Sequence, residues 1–146
     1  MGKRLGFIGV GLLLLGVLLW SVVFSSSPLE SLESSQPVTA ERYVNQGTND
    51  FHVFVFYKPT CPICRKYGKD TSDVLSRVNK EDYSVVNVSS GIPEYLESYF
   101  SGFSFEGVHV PYIVISRGSD VIYAKRVDSS DALSEFQNNV EDLKGS

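Results

Sequence analysis

The chain has 146 residues, two of them cysteine, with 13 basic and 17 acidic side chains and a net charge of −4. That length predicts a single folded domain. Two cysteines make at most one bridge, which excludes a disulfide-stapled miniprotein along with a multidomain enzyme. Setting aside Lys3 and Arg4 leaves 11 basic against 17 acidic residues, or −6. An acidic body of this kind argues against a nucleic-acid partner.

Residues Leu5 to Phe24 carry no charge: fifteen are large apolar residues, four are glycine and one is Ser21. About 20 such residues, as a helix, match the hydrocarbon thickness of a bilayer. Lys3 and Arg4 precede the run and no charge follows it closely. The positive-inside rule then leaves residues 1–4 in the cytoplasm and sends the rest outward. The reading is a single-pass signal anchor over 5–24 in the cell membrane, with an extracytoplasmic domain. A cleaved signal peptide competes with it, but its apolar core spans only ~7–15 residues, and Phe24-Ser25-Ser26-Ser27 is a poor cleavage site. Residues 25–37 are rich in serine and contain Pro28 and Pro37. They read as a flexible linker, which leaves residues 38–146 as the folded domain.

Within that domain, Thr39 to Gln46 predicts a short helix closed by Gly47. Phe51 to Tyr57 is almost continuously β-branched or aromatic, the pattern of a central strand covered on both faces. Cys61-Pro62-Ile63-Cys64 follows, then a helical stretch from Arg65 to about Asn79. Tyr83 to Val88 predicts a second strand and Pro93 to Phe103 a helix. Val110-Pro111 leads into the strand Tyr112–Ser116, a turn at Arg117–Asp120, and a strand from Val121 to Val127, which together form a hairpin. Ser129 or Ser130 caps a last helix, Asp131 to Leu143. Strands alternating with helices, followed by a hairpin, predict an α/β fold with a central mixed sheet flanked by helices.

The chemistry concentrates at Cys61 and Cys64. Two cysteines three positions apart can face each other where a helix begins, and the exposed N–H groups there stabilise a thiolate, most of all at the first cysteine. Pro62 suits the first helical turn because its missing N–H has no partner there anyway. Lys58, Arg65, Lys66 and Lys69 bring positive charge to the pair, although Lys69 reads better as part of a solvated helix face. A zinc half-site is the bland alternative. It would need His52 and His109 as further ligands, at a spacing unlike structural zinc patterns, and no metal is expected. An inert structural disulfide is a second alternative, but so short a loop stabilises little.

An apolar strand, a Cys-Pro-Ile-Cys helix start, and Val110-Pro111 fifty residues after Cys61 and just before a hairpin together resemble the thioredoxin-like family. The resemblance spans roughly Val38 to Lys144. It implies a thioredoxin fold and a redox-active Cys61/Cys64 dithiol with no other cofactor. It also implies a cis proline at Pro111 lying against the pair, and substrate contact through the backbone of Val110. Departures are also plain. Thr60 stands where thioredoxins carry tryptophan, and Pro62-Ile63 replaces their Gly-Pro, so Thr60, Pro62 and Ile63 tune the thiolate differently, alongside Lys58 and Arg65. The buried aspartate that thioredoxins place beneath the second cysteine corresponds to Val55. Glu106 or a water is a candidate replacement, and the usual first strand is weak or missing. His109 reads as a surface loop residue, and Tyr57 as packing beneath the active-site loop.

The resemblance implies a thiol–disulfide oxidoreductase acting on protein thiols and disulfides, as a reductase in the favoured direction. Such an enzyme outside the membrane needs an electron-donor or reoxidant membrane protein as partner. Small anchored thioredoxin-like proteins of Gram-positive bacteria have this form. The alternative is a non-catalytic module of a membrane-associated secretion, bacteriocin or conjugation assembly.

Overall fold

The computed structural model describes residues 27–33, 51–100 and 102–145. The expected membrane anchor and the helix expected at Thr39–Gln46 lie outside them. Among the described residues no helix is long and apolar enough to cross a membrane.

Four strands form one sheet: β1 (His52–Tyr57), β2 (Tyr83–Asn87), β3 (Tyr112–Arg117) and β4 (Asp120–Arg126). Their order across the sheet is β2-β1-β3-β4. β1 pairs parallel with β2 and antiparallel with β3, and β3 and β4 make the antiparallel hairpin. The sheet is mixed, as the alternation of elements predicts. Every residue of β1 is buried, because its side chains alternate between two apolar layers. Val53, Val55 and Tyr57 join one cluster with Val74, Leu75, Phe136 and Val140. Phe54 and Phe56 join the other with Leu96, Phe100 and Phe105. Helices α1 (Pro62–Leu75) and α3 (Ser130–Gly145) cover the first face, and α2 (Glu94–Tyr99) covers the second.

The helix starts and stops differ from the expected ones for local reasons. α1 begins at Pro62, ahead of Arg65, because Cys61 caps it, and it ends at Leu75. α2 is only six residues long. Beyond it Gly102 takes a left-handed backbone at φ +70°, and Phe100, Phe103 and Phe105 turn back onto the sheet, with ring centroids of Phe103 and Phe105 4.9 Å apart edge to face. Aromatic burial there outweighs helix continuation. Ser129 is the cap of α3: its hydroxyl accepts from the Ala132 N–H at 3.2 Å, and this hydrogen bond satisfies one of the first-turn donors. In the hairpin the register shifts between Ile115 and Ser116, and Ile122 is the extra, exposed residue of the resulting bulge on the edge strand.

One reading from composition is corrected. Ser27–Glu33, expected to be part of a free linker, packs onto the domain. Leu29 is 0% exposed and belongs to the cluster that holds Cys64 and Tyr57. Glu30–Leu32 form a 3-10 turn, and Glu33 makes a parallel bridge to Val85 at the free edge of β2. The segment lies against α1 at Gly68, where an added Cβ would meet Ser27 Oγ at 3.5 Å and Leu29 Cγ at 3.6 Å. Serine, proline and glutamate make up five of its seven residues, but two leucines at a turn's spacing supply enough apolar surface to seat it. That single bridge is what the described residues show of a first strand.

Candidate active site

Cys61 sits where β1 hands over to α1. Lys58-Pro59-Thr60 turns the chain, with Cys61 N–H donating to Lys58 O at 3.1 Å. Pro62 follows at the first helical position. Cys61 has extended backbone (φ −76°, ψ 119°), and its Sγ accepts from the Cys64 N–H at 3.3 Å. The sulfur thus occupies the place a serine or aspartate oxygen takes in an ordinary helix cap. A negative charge on it faces the positive end of α1. Both cysteines are free thiols, Cys61 half-buried and Cys64 fully buried.

The loop before β3 closes the site from the other side. The Val110–Pro111 peptide is cis. The Cys61 thiol donates to Val110 O at 3.6 Å, and Pro111 O accepts from Val127 N–H at 3.0 Å. Forty-nine residues of separation are therefore reduced to hydrogen-bond contact. Val110 is half-buried and Pro111 buried.

The two thiols differ in environment. Burial, reinforced by the hydrogen bond with Cys61, pushes the Cys64 thiol up to about 12, and a backbone hydrogen bond at Lys58 pulls weakly the other way. Cys64 therefore holds its proton while Cys61 faces solvent and the helix terminus.

The charged residues expected around the pair divide. Lys58 is exposed on the active-site loop. Arg65 Nε donates to Pro59 O at 2.9 Å, so this side chain braces the loop. Lys66 lies over the Tyr67 ring at 5.0 Å, and Lys69 pairs with Asp73 at 2.9 Å on an exposed helix face. Thr60 and Pro62 are exposed, and Ile63 is half-buried. His109 is exposed beside Val110. His52 is buried at the start of β1, on the Phe54 face, with Nε2 3.0 Å from Ser84 Oγ. The structure does not bring it to the cysteines.

Glu106 is not placed beneath Cys64. Its neighbour Phe105 packs on the opposite face of the sheet, and Glu106 itself is exposed. The N-terminal segment brings a different carboxylate, Glu33, to the hydroxyl of Tyr57. Tyr57 donates its hydroxyl to Glu33 Oε2 at 2.8 Å, and Tyr57 is 0% exposed in the cluster that contains Cys64. Burial, that hydrogen bond, and the charges of Glu33, Glu30 and Cys64 raise the Tyr57 phenol well above its ordinary range. Sequence reasoning missed Glu33 because its signal, one acidic residue in a serine-rich stretch, is indistinguishable from a solvating charge.

A mixed sheet with two helices on one face and one on the other, with paired thiols at a helix start beside a cis proline, is the thioredoxin fold. Mitochondrial thioredoxin 3 from Saccharomyces cerevisiae superposes with a TM-score of 0.56 at 15% identity, covering 80% of this chain and 100% of that one. Thioredoxin from Fasciola hepatica gives 0.52 at 14% identity, over 68% and 88%. Thioredoxin from Trypanosoma brucei brucei gives 0.53 at 11%, over 75% and 89%. Identity this low makes the likeness one of fold. No protein-family model matches the sequence, and no curated relative is found.

Proposed function

We propose that this chain is a thiol–disulfide oxidoreductase that acts on protein disulfides through a Cys61/Cys64 dithiol–disulfide cycle. The observation that carries the reading is the asymmetry of the pair. Cys61 is half-buried at the N-terminus of α1, and Cys64 is buried one turn on, with its N–H on the Cys61 sulfur. Cys61 attacks a substrate disulfide as thiolate, forming a mixed disulfide and releasing one substrate thiol. Cys64 then attacks Cys61 Sγ, closing the internal disulfide and releasing the second. The Val110 carbonyl borders the sulfur that reacts, so an extended substrate strand lies along Val110 and Pro111 and pairs with this backbone. Arg65 and Pro59 hold the loop that carries Cys61 in place.

In the cell the proposed direction is reduction, outside the cytoplasmic membrane, with residues 5–24 as the anchor and a membrane electron donor restoring the dithiol. The uncharged run from Leu5 behind Lys3 and Arg4 supports that location. A reduction potential near about −270 mV supports the reductase and one near about −120 mV an oxidase.

Insulin reduction by the full chain, with Cys61→Ser as control, tests the activity. The expected result is turnover that the substitution abolishes. Cys64→Ser in cells is expected to hold clients on Cys61 as mixed disulfides. No turnover and no captured client would instead support a non-catalytic module.

A further inference from the structure

The docked segment Ser27–Glu33 decides where the chain leaves the domain on its N-terminal side. Ser27 is 5% exposed and Leu29 0%. The Glu30 N–H donates to Ser27 O at 2.8 Å and the Ser31 hydroxyl to Pro28 O at 2.8 Å, so the turn is closed on itself. Ser27, Pro28 and Leu29 all lie 3.5–3.6 Å from the Cβ position of Gly68. At the other end of the segment, Glu33 is held by the bridge to Val85 and by the Tyr57 hydroxyl. The attachment is therefore on α1, the helix that Cys61 caps. Gly68 lies seven residues beyond Cys61, about 10 Å along the axis at about 1.5 Å per residue. On the other side, the uncharged run ends at Phe24, and only Ser25 and Ser26 separate it from Ser27. The three Cα–Cα steps from Phe24 to Ser27 span at most about 11 Å, whatever their conformation. With the width of the contact at Gly68 included, Cys61 stands within about 25 Å of the end of that run. A tether made of all of residues 25–37 would instead reach about 45 Å when extended, before the domain even begins.

We propose that the docked segment is a height ruler: it holds Cys61 close above the bilayer, so that among membrane-bound clients the protein serves those whose disulfide lies within about 25 Å of the membrane surface. The inference rests on the dithiol and anchor readings above and adds a substrate class to them. Two molecules confined to one membrane meet at high effective concentration only if their reacting groups reach the same height. That concentration falls to nearly zero when a linker cannot span the gap. Here the seat on α1 sets the gap. With Ser27 held against Gly68, the domain cannot rise on residues 27–33, which leaves two residues, Ser25 and Ser26, between the apolar run and the domain. A disulfide carried far out on a client's stalk is then beyond Cys61, whereas one beside the bilayer is within reach. The exchange at each encounter is the one already described. Cys61 and Cys64 give up two electrons and two protons as they close to a disulfide, and the client's disulfide opens to two thiols. Soluble disulfides diffuse to Cys61 from any direction and are not sorted by height.

The test compares clients of two heights. The reduced full chain is reconstituted in phosphatidylcholine vesicles with a single-span client that carries a disulfide hairpin. In one client the hairpin follows the span directly. In the other it stands on a helical spacer of about 40 residues, about 60 Å long. Client thiols are counted by alkylation in a single turnover, so no electron donor is needed. The near disulfide is expected to be reduced at least about tenfold faster than the distant one. Inserting about 30 Gly/Ser residues between Ser26 and Ser27 leaves the cysteines and the docked segment unchanged, and should bring the two rates within about twofold. Gly68→Val, which unseats the segment, should narrow the ratio in the same direction. Soluble insulin should be reduced equally by the chain with and without the insertion. Equal rates on near and distant clients for the unaltered chain, or a ratio that both variants leave unchanged, would overturn the ruler. Release of the chain from the vesicles by a carbonate wash would overturn the anchor, and the ruler with it. No reduction of insulin would instead overturn the dithiol reading on which both rest.

Discussion

Replacing Leu29 with alanine should destabilise the domain as a core substitution does, although the residue lies in a stretch with a linker's composition. Leu29 is 0% exposed and shares its cluster with Tyr57, Cys64, Leu75 and Phe136. Its Cγ lies 3.6 Å from where a Gly68 Cβ would stand, so the helix is already in close approach and has little room to collapse into the space left. Leu→Ala at such a site costs about 2–5 kcal/mol, the transfer term plus the cavity. With a urea slope of about 1–3 kcal/mol/M, the unfolding midpoint should fall by about 1–2 M. Urea titration of the full chain in detergent, followed by the fluorescence of its tyrosines, measures this. Leu32→Ala, at a half-buried position in the same turn, is the comparison and should cost less. A loss below about 0.5 kcal/mol for Leu29→Ala, the size of an ordinary surface change, would refute the docking of the segment.

Three further outcomes follow from the same geometry. Iodoacetamide at pH 8 should label Cys61 and spare Cys64, whose thiolate fraction with a thiol at about 12 is roughly 10⁻⁴ there. Peptide mapping reads this, and equal labelling of the two would contradict the asymmetry. Gly68→Val should displace Ser27–Glu33, because Ser27, Pro28 and Leu29 already stand 3.5–3.6 Å from the added Cβ. It should show as new protease cleavage near Leu29, and full resistance would count against the contact. His52 is held neutral by burial, its imidazole lowered from 6.5 to about 3. The unfolded chain therefore binds one more proton between those values. The stability this adds is present above about pH 6.5 and is lost as pH falls through that window, by up to about 1.4 kcal/mol per pH unit. His52→Asn should flatten that acid limb in urea titrations at stepped pH, and an unchanged slope would refute the assignment.

Much of the fold was legible in the sequence because the periodicities are clean. Phe51–Tyr57 is apolar at every position or nearly so, and only a strand covered on both faces uses that pattern; β1 is buried throughout. The pair at Cys61 and Cys64 was legible because a helix start is needed to bring two such thiols together, and Pro62 marks it. Val110–Pro111 was legible through a resemblance, since nothing local in the sequence separates a cis from a trans bond before a strand. The end of α2 was not legible. Phe100 and Phe103 read as the apolar end of a helix running to Phe103, whereas tertiary packing of their rings and that of Phe105 against the sheet decides the outcome. Glu33 and Leu29 were hidden for a different reason. Segment composition reports solvation on average, and a docked turn needs only one fully buried side chain and one well-placed hydrogen bond. The position that carries a buried aspartate in thioredoxins is Val55 here, which lies fully buried among apolar side chains, and Glu106 is exposed beside the opposite cluster.

The most direct test of the dithiol cycle is the redox equilibrium of the full chain in glutathione buffers of graded composition, with free thiols counted by alkylation and mass. The account predicts that Cys61 and Cys64 convert together, as one two-electron step between dithiol and internal disulfide, and that Cys61→Ser removes the transition. Cysteines that stay reduced across the whole series, or that take up glutathione independently without ever joining, would contradict it.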